Sequence, residues 1–197
     1  EPLQKGNPER FTLLNRVPLG KFNKVNSEPV NREVLAIIGS VPRRWGRMDL
    51  LSRMAVVAVG RALYDSGFLD MKTNKLRSAD MVGLISVTRW GSLITDLAFC
   101  ETLAQGPELA SPTVFSYTLP NIAIAEAAGH FGLTGPVYSI FAEHDLMGKV
   151  EQEAILWLSN HPEISAMVAG RLDLPPSYAE EKAPVAEFHI VNGKCRI

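Results

Sequence analysis

The sequence predicts an α/β fold in which helices cover a sheet, because short apolar runs alternate with longer helical patterns along most of the chain. The short runs are rich in β-branched and aromatic side chains and end at Gly, Pro or polar residues, as strands do. The five predicted strands are residues 34–39, 81–87, 137–142, 164–170 and 185–191. We therefore expect one mixed sheet of about five strands covered by helices.

Four longer segments predict helices. Asp49 is a good N-cap for residues 50–64, whose apolar and small side chains indicate a largely buried helix. Residues 93–104 form an amphipathic pattern, on which Cys100 is expected to pack as a small apolar residue. The other two predicted helices are residues 122–131 and 145–159.

The last of these helices has two different faces at helical spacing. Lys149, Gln152 and Glu153 share one face. Leu146, Val150, Ala154 and Trp157 share another face. Because Lys and Glu are rarely buried without a partner, one side of this helix should meet water or a polar surface.

The N-terminal part differs from the rest in composition and charge. Residues 1–33 are polar and rich in proline, which predicts an irregular leader ahead of one domain over residues 34–197. Residues 1–53 carry 10 Lys and Arg against 5 Asp and Glu, although the whole chain has a net charge of -1. Arg43, Arg44 and Arg47, beside Trp45, are a candidate patch for an acidic partner, and a solvated loop is the alternative interpretation.

Several classes of protein are disfavoured. No run of about 18 uncharged apolar residues occurs, so we predict no membrane span. The two cysteines have neither metal-site spacing nor the density of a disulfide scaffold, which favours the reducing cytoplasm. The pI of about 6.5 and the lack of a binding motif disfavour nucleic acid. We expect no cofactor and no metal site.

A series of short motifs runs along the chain in a fixed order. They are Arg47-Met48-Asp49, Val82-Gly83-Leu84-Ile85, Ser111-Pro112, Leu119-Pro120-Asn121, Gly132-Leu133-Thr134-Gly135-Pro136 and Ala169-Gly170-Arg171-Leu172-Asp173. In order and spacing this series resembles the β-ketoacyl synthases, whose last motif is Ala-Gly-Gly-x-Asp, so that Arg171 replaces a Gly. The resemblance implies the N-terminal half of a thiolase-like fold.

The resemblance also implies a position for the nucleophilic cysteine. In the family, the strand after Gly-Pro leads through Thr-Ala-Cys into a helix. Counting from Gly135-Pro136 places His144 at the cysteine position, between Glu143 and Asp145. No Cys occurs between Cys100 and Cys195, and an imidazole cannot form the usual acyl thioester. The family's decarboxylating residues lie in a second half, and the chain stops where that half would begin, so we expect no condensation.

Glu143, His144 and Asp145 allow two interpretations. In one, they cap the following helix, with Asp145 bonded to free N–H groups and Glu143 favourable to the helix dipole. In the other, they are an acid/base cluster that acts on an acyl or β-ketoacyl thioester as a decarboxylase or hydrolase. The sequence leaves both open.

The resemblance favours a non-condensing accessory or partner subunit of fatty-acid or polyketide-like biosynthesis. Family dimers join through the strand before the nucleophile. Here that strand is Val137-Tyr138-Ser139-Ile140-Phe141-Ala142. We therefore expect a homodimer, or a heterodimer with a β-ketoacyl synthase, and acyl carrier protein as a further candidate partner.

Overall fold

The computed structural model describes residues 11–12, 28–70, 72–76 and 81–192, in which one sheet lies between two layers of helices. The strands are β1 Phe11–Thr12, β2 Leu69–Asp70, β3 Lys75–Leu76, β4 Val82–Thr88, β5 Val137–Phe141, β6 Ala166–Asp173 and β7 Val185–Asn192. The helices are α1 Glu28–Ile38, α2 Leu50–Asp65, α3 Leu93–Ala104, α4 Pro112–Phe115, α5 Pro120–Phe131 and α6 Leu146–Asn160. Within this part of the chain, no helix combines the length and the apolar character needed to cross a bilayer.

The main sheet has the order β1-β7-β6-β4-β5. Strand β4 is parallel to both β5 and β6, whereas β7 is antiparallel to β6 and β1 is antiparallel to β7. The predicted α/β fold with a mixed sheet of about five strands is thus confirmed, with four long strands and the two-residue β1. Because β4, β5 and β6 run the same way, the loops that follow them meet at one edge of the sheet.

Both faces of the sheet are covered, which explains why the interior strand β4 begins with a continuous apolar run. Every residue of β4 is buried, as expected for a parallel strand between two helical layers. Helices α1, α2 and α5 pack on one face, and α2 buries most of its length as predicted. Helix α6 packs on the other face, against Ile85 and Val87 of β4 and against Met167 and Ala169 of β6.

The two faces of α6 agree with the sequence pattern. Leu146, Val150, Ala154 and Leu158 form its buried stripe at four-residue spacing. Lys149 and Gln152 are exposed, and Glu153 and Trp157 are half-buried at the border.

The strand predicted at residues 34–39 is wrong, because these residues are the second half of helix α1 and the Gly that ends it. Val30, Val34 and Ile38 are buried at four-residue spacing, which is a helical stripe, and Leu35 and Ala36 face solvent. A short apolar run cannot distinguish a strand from part of a helix by periodicity. The expected boundary between leader and domain, at residue 34, falls inside this helix, and most of the proposed leader lies outside the described residues.

Helix α3 also differs from its prediction. Thr95 is its buried residue, and Cys100 is exposed rather than packed. Apolar side chains therefore lie on sides of α3 that nothing in the described part of the chain covers, including Leu97 and Leu103.

A glycine on β6 tests the packing of β6 against β7. A Cβ atom at Gly170 would collide with the carbonyl oxygen of Glu187 and come within 2.6 Å of the Phe188 ring, whereas a Cβ atom at Gly129 on α5 would meet nothing within 4 Å. Gly170→Ala should lower the free energy of unfolding by about 1–3 kcal/mol through overpacking. Gly129→Ala should raise it by about 0.5–1 kcal/mol, because alanine favours the helix. Urea denaturation measures both, and equal stability of the two variants would contradict this packing.

Candidate functional site

The site lies where the loops after β4, β5 and β6 meet, and a buried carboxylate organises it. Asp173, the last residue of β6, is fully buried. Its Oδ1 accepts hydrogen bonds from the Thr88 hydroxyl at 2.7 Å, from the Arg89 N–H at 2.8 Å and from the Trp90 N–H at 3.1 Å. Strand β4 therefore ends in a turn whose backbone N–H groups, those of Arg89 and Trp90, donate to the neighbouring strand β6.

The second oxygen of Asp173 binds an arginine. Arg171 Nε donates to Asp173 Oδ2 at 2.8 Å, and its two terminal nitrogens donate to the Glu181 carboxylate. Burial acts to lower the pKa of Arg171, but the bonds to Glu181 and Asp173 together outweigh it, so the pKa is raised. The Arg that departs from the family motif thus ties the loop after β6 to the buried carboxylate.

The loop after β5 is tied to the same turn. The Ala142 N–H donates to the Thr88 carbonyl at 3.1 Å, and the Arg89 guanidinium donates to the Glu143 carbonyl. The sequence motifs named Asp173 as a landmark but gave it no role. Arg89 and Glu181 carried no signal in the sequence, because their partners lie 54 and 10 residues away along the chain, respectively.

Glu143, His144 and Asp145 lie together at this edge, and all three side chains are exposed. Within the described residues, no hydrogen bond joins the side chains of Glu143, His144 and Asp145 to one another. They do not form a relay in which one group orients the next. What the arrangement offers is three independent polar side chains at the surface.

Asp145 is the N-cap residue of α6, but its carboxylate makes no capping hydrogen bond. Its φ of 49° and ψ of 47° are left-handed, a conformation that costs a side-chain-bearing residue free energy. The carboxylate lies against Gly148, where a Cβ atom would collide with both of its oxygens. The sharp point of the strand-to-helix turn is therefore Asp145, one residue after His144.

The arginine cluster is only partly available to a partner. Arg44 forms an ion pair with Glu126 of α5 at 3.2 Å, and the buried Trp45 donates to Asn31 at 2.7 Å. Arg43 and Arg47 are exposed on either side of Trp45. In the described part of the chain, no three His, Cys, Asp or Glu side chains lie close enough together to hold a metal ion.

The left-handed turn predicts a specific pattern of stability. Asp145→Gly should keep or raise the free energy of unfolding, because glycine adopts this conformation freely. Asp145→Val should lower it by about 1–2 kcal/mol, because a β-branched residue is strained there. Glu143→Val, two residues earlier at ordinary backbone angles, is the matched control and should change stability little. Urea denaturation compares them, and equal losses for the two valine variants would contradict the turn geometry.

Solved structures of ketosynthases share this fold. A chain of the ishigamide ketosynthase/chain length factor aligns with a TM-score of 0.57 at 16% identity, over 79% of this chain and 47% of its own length. A chain of the ketosynthase (ApeO) in complex with its chain length factor (ApeC) from Xenorhabdus doucetiae aligns with 0.56 at 16% identity, over 90% and 75%. A β-ketoacyl synthase from Burkholderia phymatum STM815 aligns with 0.52 at 16% identity, over 66% and 31%. The chain thus spans about half the length of the first of them.

These likenesses confirm that the sheet and its helices match part of the ketosynthase fold. No curated protein matches the sequence. The profile of the family described as "Beta-ketoacyl synthase, N-terminal domain" matches residues 31–143, more than half of the chain, and ends immediately before His144. The chain belongs to the β-ketoacyl synthase family, whose N-terminal domain it contains.

Proposed function

We propose that the chain is a non-condensing, ketosynthase-like partner subunit in fatty-acid or polyketide-like biosynthesis. The observation that carries this proposal is the turn after β5, where Glu143, His144 and Asp145 stand in place of a thiol. Condensation in the family begins with an acyl thioester on that cysteine. Cys100 does not replace it, because it lies on α3 and not at the start of α6.

An uncovered apolar surface supports a role as a partner. We use the term apolar surface for Leu97, Leu103, Leu109, Phe115 and Leu119, which are between 41% and 62% exposed. Helix α3 contacts α4, and the Phe99 and Phe115 rings lie 5.2 Å apart, so these side chains belong to one region. Exposed apolar side chains gathered in one region of the surface are typical of interaction sites.

Strand β5 continues this surface. It is the edge strand of the main sheet in the described residues, and its last residue, Phe141, is 63% exposed. A Cβ atom at Gly91 would meet both Phe141 and Pro120, so Phe141 adjoins the start of α5 beside Leu119. An edge strand beside an apolar surface suits a partner that adds a strand and covers both.

The partner that fits is a second copy of this chain or a ketosynthase. Two of the structural relatives are a ketosynthase together with a chain length factor. Strand addition across a two-fold axis would join two such sheets into one. Arg43, Arg44 and Arg47 are the candidate contact for an acidic carrier protein, and Arg44 keeps 62% of its side chain exposed although it pairs with Glu126. The exposed Cys100 thiol fits a reducing cytoplasm.

The alternative is an acyl-thioester decarboxylase or hydrolase that uses the Glu143, His144 and Asp145 cluster. The presence of acid/base side chains at the turn favours it. Their exposure and the lack of hydrogen bonds among them weaken it, because catalytic acid/base groups are normally oriented by a hydrogen-bonded partner in a pocket that excludes water.

A mass measurement separates these functions. The wild-type chain, incubated with acyl-carrier protein and acyl thioesters, should gain no acyl mass and release no free acid. Native mass spectrometry should show a homodimer of the chain alone, or a heterodimer when a ketosynthase is added. A stable adduct at Cys100 or Cys195, lost on Cys→Ser, would show that the nucleophile was misplaced. Release of carbon dioxide or free acid would favour the alternative enzyme.

Restoring a thiol should restore reactivity but not condensation. In a Cys100→Ser, Cys195→Ser background, His144→Cys places sulfur at the start of α6, where the dipole favours the thiolate. Ser159→Cys, exposed at the other end of α6, is the matched control. Iodoacetamide should label His144→Cys about tenfold faster at neutral pH. With malonyl-carrier protein, neither variant should form a β-ketoacyl product, and such a product would contradict the proposed function.

A further inference from the structure

The backbone of β5 alternates between groups that face β4 and groups that face outward. The Leu84 N–H donates to the Pro136 carbonyl at 2.8 Å, and the Ala142 N–H donates to the Thr88 carbonyl at 3.1 Å. In a parallel ladder, alternate residues of a strand bond to the same neighbour. The even-numbered residues from 136 to 142 therefore face β4, and the backbone groups of Val137, Ser139 and Phe141 face outward. We call these three residues the β5 edge.

The centre of the β5 edge is already occupied. The Ser139 N–H donates to Oδ1 of Asn121 at 2.8 Å. Asn121 lies in the first turn of α5, and its side chain is exposed. The Ser139 side chain points inward, since its hydroxyl lies 2.6 Å from that of Ser86. Asn121 thus covers a backbone donor that would otherwise be open to another strand.

This donor is needed for any extended pairing of two β5 strands. In an antiparallel pair, hydrogen-bonded residues exchange both of their N–H and C=O groups. Within the five-residue strand, only three two-fold registers give two or more such pairs. Ser139 then faces Val137, Ser139 or Phe141 of the second copy, so all three registers use the Ser139 N–H. Asn121 blocks each of them.

We propose that Asn121 controls strand addition at the β5 edge, and that its side chain must release the Ser139 N–H before a second copy can pair there. This inference rests on the proposed function, because it concerns the same interface. Proteins protect edge strands against unwanted pairing, and in this chain the Asn121 side chain accepts from an outward N–H of the edge strand. Each protomer loses the hydrogen bond from the Ser139 N–H to Asn121, and the Ser139 N–H then donates to the second strand instead.

Two substitutions of Asn121 should act in opposite directions. Asn121→Ala leaves the Ser139 N–H open and should lower the dimer dissociation constant by about tenfold, because two protomers each avoid losing a hydrogen bond. Asn121→Asp places a charged acceptor on the same N–H and should raise the constant by about tenfold. Asn160→Ala, at the exposed end of α6, is the control and should change nothing. Sedimentation equilibrium over a concentration series measures all four proteins.

A second readout follows the hydrogen bond itself. At concentrations where the chain is monomeric, the Ser139 amide should exchange with solvent faster in Asn121→Ala than in wild type by NMR. Unchanged exchange would overturn the proposal. If dimers form but Asn121→Ala weakens them or leaves them unchanged, this inference fails and the proposed function stands. If wild type and all variants stay monomeric and bind no ketosynthase, the proposed function fails as well.

Discussion

The fully buried carboxylate of Asp173 is the constraint on which the loops at the C-terminal ends of β4, β5 and β6 depend. A buried charge is tolerated only when it is paired and hydrogen-bonded, and Asp173 meets that condition with Thr88, two backbone N–H groups and Arg171. Removing one partner of such a pair typically costs about 3–5 kcal/mol. Because the turn after β4 is fixed in this way, Arg89 can reach the Glu143 carbonyl and hold the loop that carries His144. The position of Glu143, His144 and Asp145 thus depends on an interaction centred on a different strand.

The same fold leaves one side incomplete. Helix α6 and the layer of α1, α2 and α5 bury both faces of the sheet, so the core needs no further cover there. No strand pairs with the outer side of β5 among the described residues, where only the Asn121 side chain occupies the Ser139 N–H, and the apolar surface beside it is exposed. The proposal of a partner role rests on these two features together, the turn before α6 that carries His144 and no thiol, and the edge strand with exposed apolar side chains beside it.

The sequence was sufficient for features that depend on local pattern. The strands β4 to β7, the buried helix α2 and the two faces of α6 all follow from periodicity and end signals, and the motif order led to the family. Residues 34–39 failed because a short apolar run is compatible with a strand or with a helical stripe. The Asp173 network and the bond from Ser139 to Asn121 join residues far apart in the chain, so no local pattern could reveal them. The exposure of Cys100 was missed for another reason, since an amphipathic pattern does not show which apolar side chains another element covers.

The central claim, that this chain acts as a partner through the β5 edge, is tested most directly by a charge placed on that edge. Phe141→Lys puts a cation at the end of β5, where it opposes strand pairing and burial. Leu35→Lys, at a similarly exposed apolar residue on α1, is the matched control. The account predicts that sedimentation equilibrium, of the chain alone and mixed with a ketosynthase, gives at least tenfold weaker association for Phe141→Lys and none of this loss for Leu35→Lys. Unchanged association for Phe141→Lys, or equal losses for both variants, would contradict it.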